Sequence, residues 1–146
     1  MTFLVSACGR KAPPRPPEDV RPKTIADLTA SNVADGVQLS WSRPRAYADG
    51  SPMTDLGGFV VERADGADPH AAFQHVAQLE VTDRDRFRQI KSFRYLDRDT
   101  SVGTPYRYRV VSYTLDRYFS APSNIASLER ATVAEEKHAP LSATPR

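Results

Sequence analysis

The side chains best suited to nucleophilic or metal chemistry are few in this chain: one cysteine, Cys8, and three histidines. His70, His75 and His138 have no Cys, His or carboxylate partner at the spacing of a metal motif. Phosphate-binding glycine loops and hydrolase motifs are absent from the sequence, and Asp pairs fall in predicted loops, where solvated charge is commoner than catalysis. We therefore predict no catalytic residue, no metal site and no cofactor, and expect the chain not to be an enzyme.

The residues around Cys8 give this thiol a different chemistry. An aliphatic residue and two small residues precede it: Val5, Ser6 and Ala7. This pattern resembles the lipobox of bacterial lipoproteins. The resemblance implies cleavage before Cys8, transfer of a diacylglyceryl group to its thiol, and membrane attachment by two or three acyl chains.

Residues 1–7 would then be a truncated signal peptide. They contain no basic residue and are shorter than a complete secretory signal, so we expect that the start codon is placed too late. Gly9 stands where the family's inner-membrane retention signal has Asp, which predicts the outer membrane, facing the periplasm or the surface. The alternative is an incidental thiol at the frayed end of a cytoplasmic domain.

Residues 8–23 are predicted to be a lipidated tether. Proline fixes φ near −65° and lacks an amide donor, which favours an extended polyproline II spacer that holds the domain tens of ångströms from the lipid. Docking of this segment on an aromatic groove of a partner is the alternative. Its prolines are Pro13, Pro14, Pro16, Pro17 and Pro22.

Length and composition bound the remainder of the chain. The 146 residues carry 20 basic and 18 acidic side chains, a net charge of +2, and 40% are hydrophobic. A chain of this length buries roughly two thirds of its unfolded surface, enough for one core. Interleaved charges argue against nucleic-acid binding, and no stretch approaches the roughly 18 apolar residues of a membrane span.

Residues 24–128 show period-two alternation between turn residues, which predicts an all-β antiparallel sandwich of about seven strands. Val37, Leu39 and Trp41 share one face of a strand, and Tyr106 and Tyr108 share one face of another. The first strand is predicted over residues 25–30, and the last over 118–128 with Pro122 at an outer edge.

The order and spacing of these segments resemble the fibronectin type III domain over residues 24–128. The resemblance implies an immunoglobulin-like sandwich with Trp41 in the core. It also implies that Tyr106 is a tyrosine corner bonded to backbone a few residues upstream. The integrin-binding Arg-Gly-Asp tripeptide is absent. The segments that carry the resemblance are residues 27–30, 41–44, 58–63, 95–97, 103–110 and 120–123.

Residues 80–91 are the candidate contact with a protein partner, read as a charged loop that carries Phe87, Arg88 and Ile90. Arginine and aromatic side chains are enriched at interface hot spots. The interpretation favoured here is that Phe87 and Ile90 pack against an edge of the sandwich while the charges face water.

Two further surfaces are candidates for binding. Arg107 and Arg109, with Arg63 and Arg94 as possible neighbours, could form a basic stripe, but neutralisation by Glu62 and nearby Asp residues is favoured. The aromatic residues Tyr113, Tyr118 and Phe119 could instead form a carbohydrate platform.

The tail, residues 129–146, is predicted to be disordered. We expect a lipid-anchored envelope module that acts through protein–protein contacts. Carbohydrate or cell-wall binding is the alternative.

Overall fold

Alternating apolar and polar residues produce strands throughout the computed structural model, which describes residues 12–134. These residues form seven strands and two short helices. In chain order the elements are α1 (Pro17–Val20), β1 (Thr29–Val33), β2 (Gly36–Ser42), β3 (Leu56–Asp65), β4 (Gln74–Glu80), α2 (Asp83–Arg88), β5 (Ser92–Asp97), β6 (Pro105–Thr114) and β7 (Ala126–Glu129).

The strands pair into two antiparallel sheets, one in the order β1-β2-β5 and the other in the order β4-β3-β6-β7. The inward side chains of both sheets form a single apolar core. The predicted all-β antiparallel sandwich of about seven strands is confirmed.

Three aromatic side chains join the sheets at the centre of this core. Trp41 of β2 is 1% exposed and meets Phe59 of β3 edge-on, with 5.2 Å between ring centroids. Phe59 also meets Phe93 of β5 at 4.6 Å. Edge contacts of this kind add to the free energy gained by burying the rings.

Tyr106 closes the connection between β5 and β6. Its hydroxyl accepts a hydrogen bond from the backbone N–H of Ser101 at 2.8 Å, five residues upstream. This is the geometry implied for a tyrosine corner. Gly103, at a φ of +86°, supplies the left-handed turn in the same connection.

Asp97 is a buried carboxylate that reaches across the sandwich from β5. One of its oxygens, Oδ2, accepts from Arg63 of β3 and from the Tyr108 hydroxyl of β6, each at 2.8 Å. Oδ1 accepts from the backbone N–H of Asp99 at 3.1 Å. Burial, and then the bond to Asp97, raise the pKa of Tyr108. Arg63 therefore binds within the domain and does not join an outer basic stripe.

The first and last strands differ from the prediction. The first begins at Thr29 and not at residue 25, because Asn124 takes the place of a neighbouring strand. Its side-chain oxygen accepts from the N–H of Leu28, and its amide donates to the carbonyl of the same residue, both at 2.9 Å.

The last strand begins at Ala126 and not at residue 118. Before it, Ser120 and Ser123 supply hydroxyl acceptors for the N–H groups of Ser112 and Val110 in β6, at 3.0 and 2.9 Å. Side chains thus replace part of the backbone ladder around Pro122, which has no amide to donate.

The folded part also extends beyond residues 24–128. Pro22 is buried, and Glu129 still belongs to β7. Arg130 is 6% exposed and donates to the carbonyl of Ala34 at 3.1 Å, so the first residues of the tail predicted to be disordered are folded against the domain. Residues 135–146, with His138, lie outside the described residues.

The core position of Trp41 gives a stability prediction. Changing Trp41 to Ala removes a buried aromatic side chain and should lower the free energy of unfolding by about 3–5 kcal/mol. The matched control is Ser40→Ala on the outer face of the same strand, which should change it by less than about 0.5 kcal/mol. Urea unfolding followed by circular dichroism measures both. Equal midpoints for Trp41→Ala and the wild type would contradict the assignment.

Candidate functional site

Three connections meet at one end of the sandwich, which we call the loop end. They are residues 43–55, 81–91 and 115–125, and they meet because β2, β4 and β6 end there while β3 and β5 begin there. Loops held by a rigid scaffold are the usual carriers of binding function. The partner residues predicted from the sequence all lie in the second of these connections.

That connection contains helix α2 and is not the loop predicted from the sequence. The Thr82 hydroxyl accepts from the N–H of Asp85 at 3.2 Å and donates to its carboxylate at 2.8 Å, so the Thr82 side chain caps the start of the helix. Gln89 ends it in the left-handed region at a φ of 48°. The spacing Thr82-x-x-Asp85 could have predicted the start of this helix, but six residues are too few to show helical periodicity.

Arg86 fixes α2 to the sandwich. Its guanidinium donates to the carbonyls of Leu56 and Val81, at 3.0 and 2.6 Å, and pairs with Asp83. From the other side, Arg43 donates to the carbonyl of Asp85 at 3.1 Å. These bonds determine which side of the short helix faces the domain.

Phe87 consequently points away from the protein and is 87% exposed. The expectation that it packs against an edge of the sandwich is wrong, because Arg86 occupies the domain side of α2 and leaves its neighbour outside. Arg88 is exposed as well. Ile90 is partly buried and faces a hollow of about 570 Å³ between β4 and β5, beside Phe59 and Phe93. The structure therefore does not bring Phe87 and Ile90 to one surface.

A groove of about 520 Å³ lies between α2 and residues 43–55, and we call it the α2 groove. Pro52, Met53 and Phe87 supply its apolar wall. Arg43, Arg45 and Arg86 supply its positive charge.

The arginines of the groove affect one another. Burial lowers the pKa of Arg43, and the charges of Arg45 and Arg86 lower it further. Asp83 also lines the groove and pairs with Arg86, so Arg43 and Arg45 supply the charge that a bound anion would neutralise. The groove thus combines positive charge with an apolar wall.

The segment before the domain is not a free extended spacer over its whole length. Residues 17–20 form the single turn of α1. After it, the carbonyl of Arg21 accepts from the N–H of Ala48, and the N–H of Lys23 donates to the carbonyl of Ala46, both at 2.9 Å. Arg15 also donates to the Ser51 hydroxyl at 3.2 Å. The segment therefore lies against residues 46–51 of the loop end.

Beside this segment, residues 115–119 expose a second apolar surface. Leu115 is 55% exposed, Tyr118 40% and Phe119 47%, and we call these three residues the aromatic corner. Tyr113 is only 3% exposed and lies next to Phe119, with ring centroids 5.5 Å apart. A carbohydrate platform built from Tyr113, Tyr118 and Phe119 therefore lacks its first ring.

The outer arginines of β6 are engaged within the protein. Arg109 forms an ion pair of 2.5 Å with Glu62 and lies over the Phe73 ring at 4.2 Å. Arg107 donates to the carbonyls of residues 68, 69 and 71. These contacts support surface charge pairing and not a basic stripe.

The remaining chemically capable residues form no site in the part of the chain that the structure describes. His70 and His75 are exposed. Within residues 12–134, no three His, Cys, Asp or Glu side chains are arranged to hold a metal ion. No helix among these residues has the length and apolar character needed to cross a membrane. Cys8 lies outside the described residues.

No protein-family model matches the chain, and no curated protein matches it. Among solved structures, it is similar to the kinase region of twitchin from C. elegans. The TM-score is 0.55 and the identity 12% over 81% of this chain, which spans only 18% of the twitchin structure.

The third fibronectin III domain of human KIAA0343 gives a TM-score of 0.55 at 6% identity, over 90% of this chain and 99% of that domain. An Fn3-like protein from Clostridium thermocellum gives 0.48 at 15% identity, over 81% of this chain and 99% of that one. At these identities the likeness shows the fold alone, which is a fibronectin type III-like β-sandwich.

Tyr47 gives the loop end a measurable pH dependence. Its hydroxyl donates to Asp55 at 2.5 Å. Burial, followed by this hydrogen bond and the charge of Asp55, raises the pKa of Tyr47 from 10.0 to about 12. The folded state favours the neutral phenol, so its contribution to stability is complete below about pH 10 and is lost as the pH rises through about 12.

Between these pH values the wild type should therefore lose free energy of unfolding more steeply than Tyr47→Phe. Urea unfolding at successive pH values measures the difference. Parallel curves for the two proteins would show that the Tyr47–Asp55 bond does not contribute to the stability of the folded domain.

Proposed function

We propose that this fibronectin type III-like domain is a lipid-anchored module of the outer membrane that binds an envelope protein through the α2 groove. The observation that carries the proposal is the 87% exposure of Phe87 on a helix that is capped at both ends and fixed to the domain. Aromatic side chains are enriched at protein interfaces, and this one is exposed on a helix whose position is fixed.

Phe87 is not an isolated apolar residue on a polar surface, which would need no explanation. It forms one wall of the α2 groove, where Met53 lies at the floor with 8% exposure and Pro52 at the rim. An apolar side chain of a partner would bury its surface against these residues without rearrangement of the fold.

The charges of the groove define the partner's chemistry. Arg43 and Arg45 lie on the side of the groove opposite α2, and Arg86 lies on α2 itself. We infer a partner segment that combines an acidic residue with an apolar one. Complementary charge of this kind increases the rate of association and sets the orientation of the partner.

The anchor is supported by the sequence around Cys8. The residues Val5, Ser6 and Ala7 fit the lipobox, and the prolines and basic residues that follow suit a segment near lipid headgroups. Since each buried methylene contributes about 0.8 kcal/mol, attachment by more than one acyl chain is stable. An anchored module of this type would localise its partner to the envelope.

The anchor predicts a definite mass. Protein purified from membranes of its own host should begin at Cys8 and be heavier by two or three acyl groups in intact mass spectrometry. Cys8→Ala should be absent from the membrane fraction, because no thiol remains to accept the diacylglyceryl group. An unmodified wild-type chain that retains residues before Cys8 would refute the anchor.

The partner site predicts a position-specific crosslink. A photoreactive phenylalanine analogue in place of Phe87, incorporated in the host, should yield a discrete protein adduct. The same analogue in place of Val102, which is 63% exposed at the opposite end of the sandwich, is the matched control and should yield none. Adding Arg45→Glu should weaken the Phe87 adduct several-fold, because the partner segment is acidic.

Equal products from both positions, or no product from Phe87, would exclude the α2 groove as the protein site. A product that muramidase digestion removes would support cell-wall carbohydrate binding, the alternative function.

A further inference from the structure

We infer that the aromatic corner, Leu115, Tyr118 and Phe119, rests on the surface of the bilayer that holds the lipid anchor. The inference goes beyond the proposed partner site and depends on the proposed acylation of Cys8. It assigns an orientation to the domain, with the loop end toward the lipid.

The length of chain between the anchor and the domain supports this orientation. From Cys8 to Ala12 there are four peptide steps, which span at most about 14 Å. The next attachment to the domain is Arg15, which contacts Ser51 and pairs with Asp49 at 3.7 Å. Even counted to Arg15, the free chain spans at most about 25 Å.

That reach is shorter than the domain. β6 alone has 10 residues, and at about 3.3 Å per residue it extends about 33 Å from one end of the sandwich to the other. While Arg15 keeps its contacts with Ser51 and Asp49, the tether is too short for the domain to invert and place its opposite end on the lipid. The loop end is then the end nearer the membrane.

The aromatic corner lies beside the tether. Pro17, Glu18 and Arg21 line a shallow hollow together with residues 117–119. Thus the last described residues before the domain and the exposed rings of Tyr118 and Phe119 face the same space.

The side chains of the corner suit a bilayer interface. Tyrosine is enriched at the level of lipid headgroups, and Phe and Leu bury themselves at the boundary with the acyl chains. The nearby charges balance, because Glu18 and Asp116 offset Arg21 and Arg117. Apolar insertion, and not attraction to anionic headgroups, is the contact that this composition predicts.

How often the aromatic corner contacts lipid depends on the anchor. Three partly exposed side chains bind lipid weakly, but the tether keeps them within about 25 Å of the surface and so raises their effective concentration there. The tether does not occupy the α2 groove, because its contacts are with Ala46, Ala48 and Ser51, and none of these residues lines the groove.

A depth measurement tests the orientation. The native Trp41 is 1% exposed and out of reach of a lipid quencher. Any quenching therefore reports the tryptophan that is introduced on the surface. The probe variant is Phe119→Trp, and the matched control is Val102→Trp at the opposite end. Each acylated protein is purified from its host and reconstituted into vesicles of three parts phosphatidylethanolamine to one part phosphatidylglycerol, with or without bromine on the acyl chains.

Brominated lipid should quench the fluorescence of Phe119→Trp several-fold more strongly than that of Val102→Trp. Replacing phosphatidylglycerol by phosphatidylcholine should leave this quenching unchanged, since the insertion is apolar. Equal quenching of the two variants, or quenching that disappears with the anionic lipid, would overturn the inference.

Two controls separate this inference from the anchor. Phe119→Trp combined with Cys8→Ala should show no quenching, because the weak contact then has no tether. The mass of the wild-type protein then shows whether the anchor has failed or only the orientation. An acylated chain with equal quenching refutes the orientation alone, whereas a chain without acyl groups refutes the anchor and the orientation together.

Discussion

The buried carboxylate of Asp97 is the contact on which the alignment of the two sheets depends. It stands at the end of β5 and binds Arg63 of β3 and the Tyr108 hydroxyl of β6, so one side chain connects both sheets. A buried charge without partners costs several kcal/mol, which penalises any displacement of β5 along the facing sheet. Apolar packing around Trp41 drives the association of the sheets, but it lacks this directional requirement.

The connections at the two ends of the sandwich are held in different ways. At the end near Asp97, the Tyr106 hydroxyl binds the backbone of Ser101. Arg130, directly after β7, binds Asn32 of β1 and the carbonyl of Ala34. At the loop end, 30 Å or so away along β6, side chains of α2 and of residues 43–55 make the connections. Because the strands are fixed at the end near Asp97, the loop end needs only local bonds, such as those of Arg86, to hold an exposed aromatic side chain in place.

The sandwich and its core could be predicted from the sequence. Alternation of apolar and polar residues along 37–41 and 106–110 assigns each side chain to the inner or the outer face of its strand. The sequence was insufficient where side chains replace backbone pairing, as at Asn124 and Ser120, since alternation carries no information on such bonds. The exposure of Phe87 could not be predicted from the sequence either. Periodicity identifies the polar side of an element only over several turns, and α2 has six residues.

If Cys8 is acylated as proposed, the position of the tether limits the height above the bilayer at which the α2 groove could bind a partner. Residues 46–51 bind the segment that leads to Cys8, while Arg45 on the same loop lines the groove, so one loop carries both contacts. A loop end held within about 25 Å of the bilayer gives access only to segments at a similar height. On the proposed acylation of Cys8, the acidic and apolar segment that we propose for the α2 groove would therefore meet this domain close to the membrane surface.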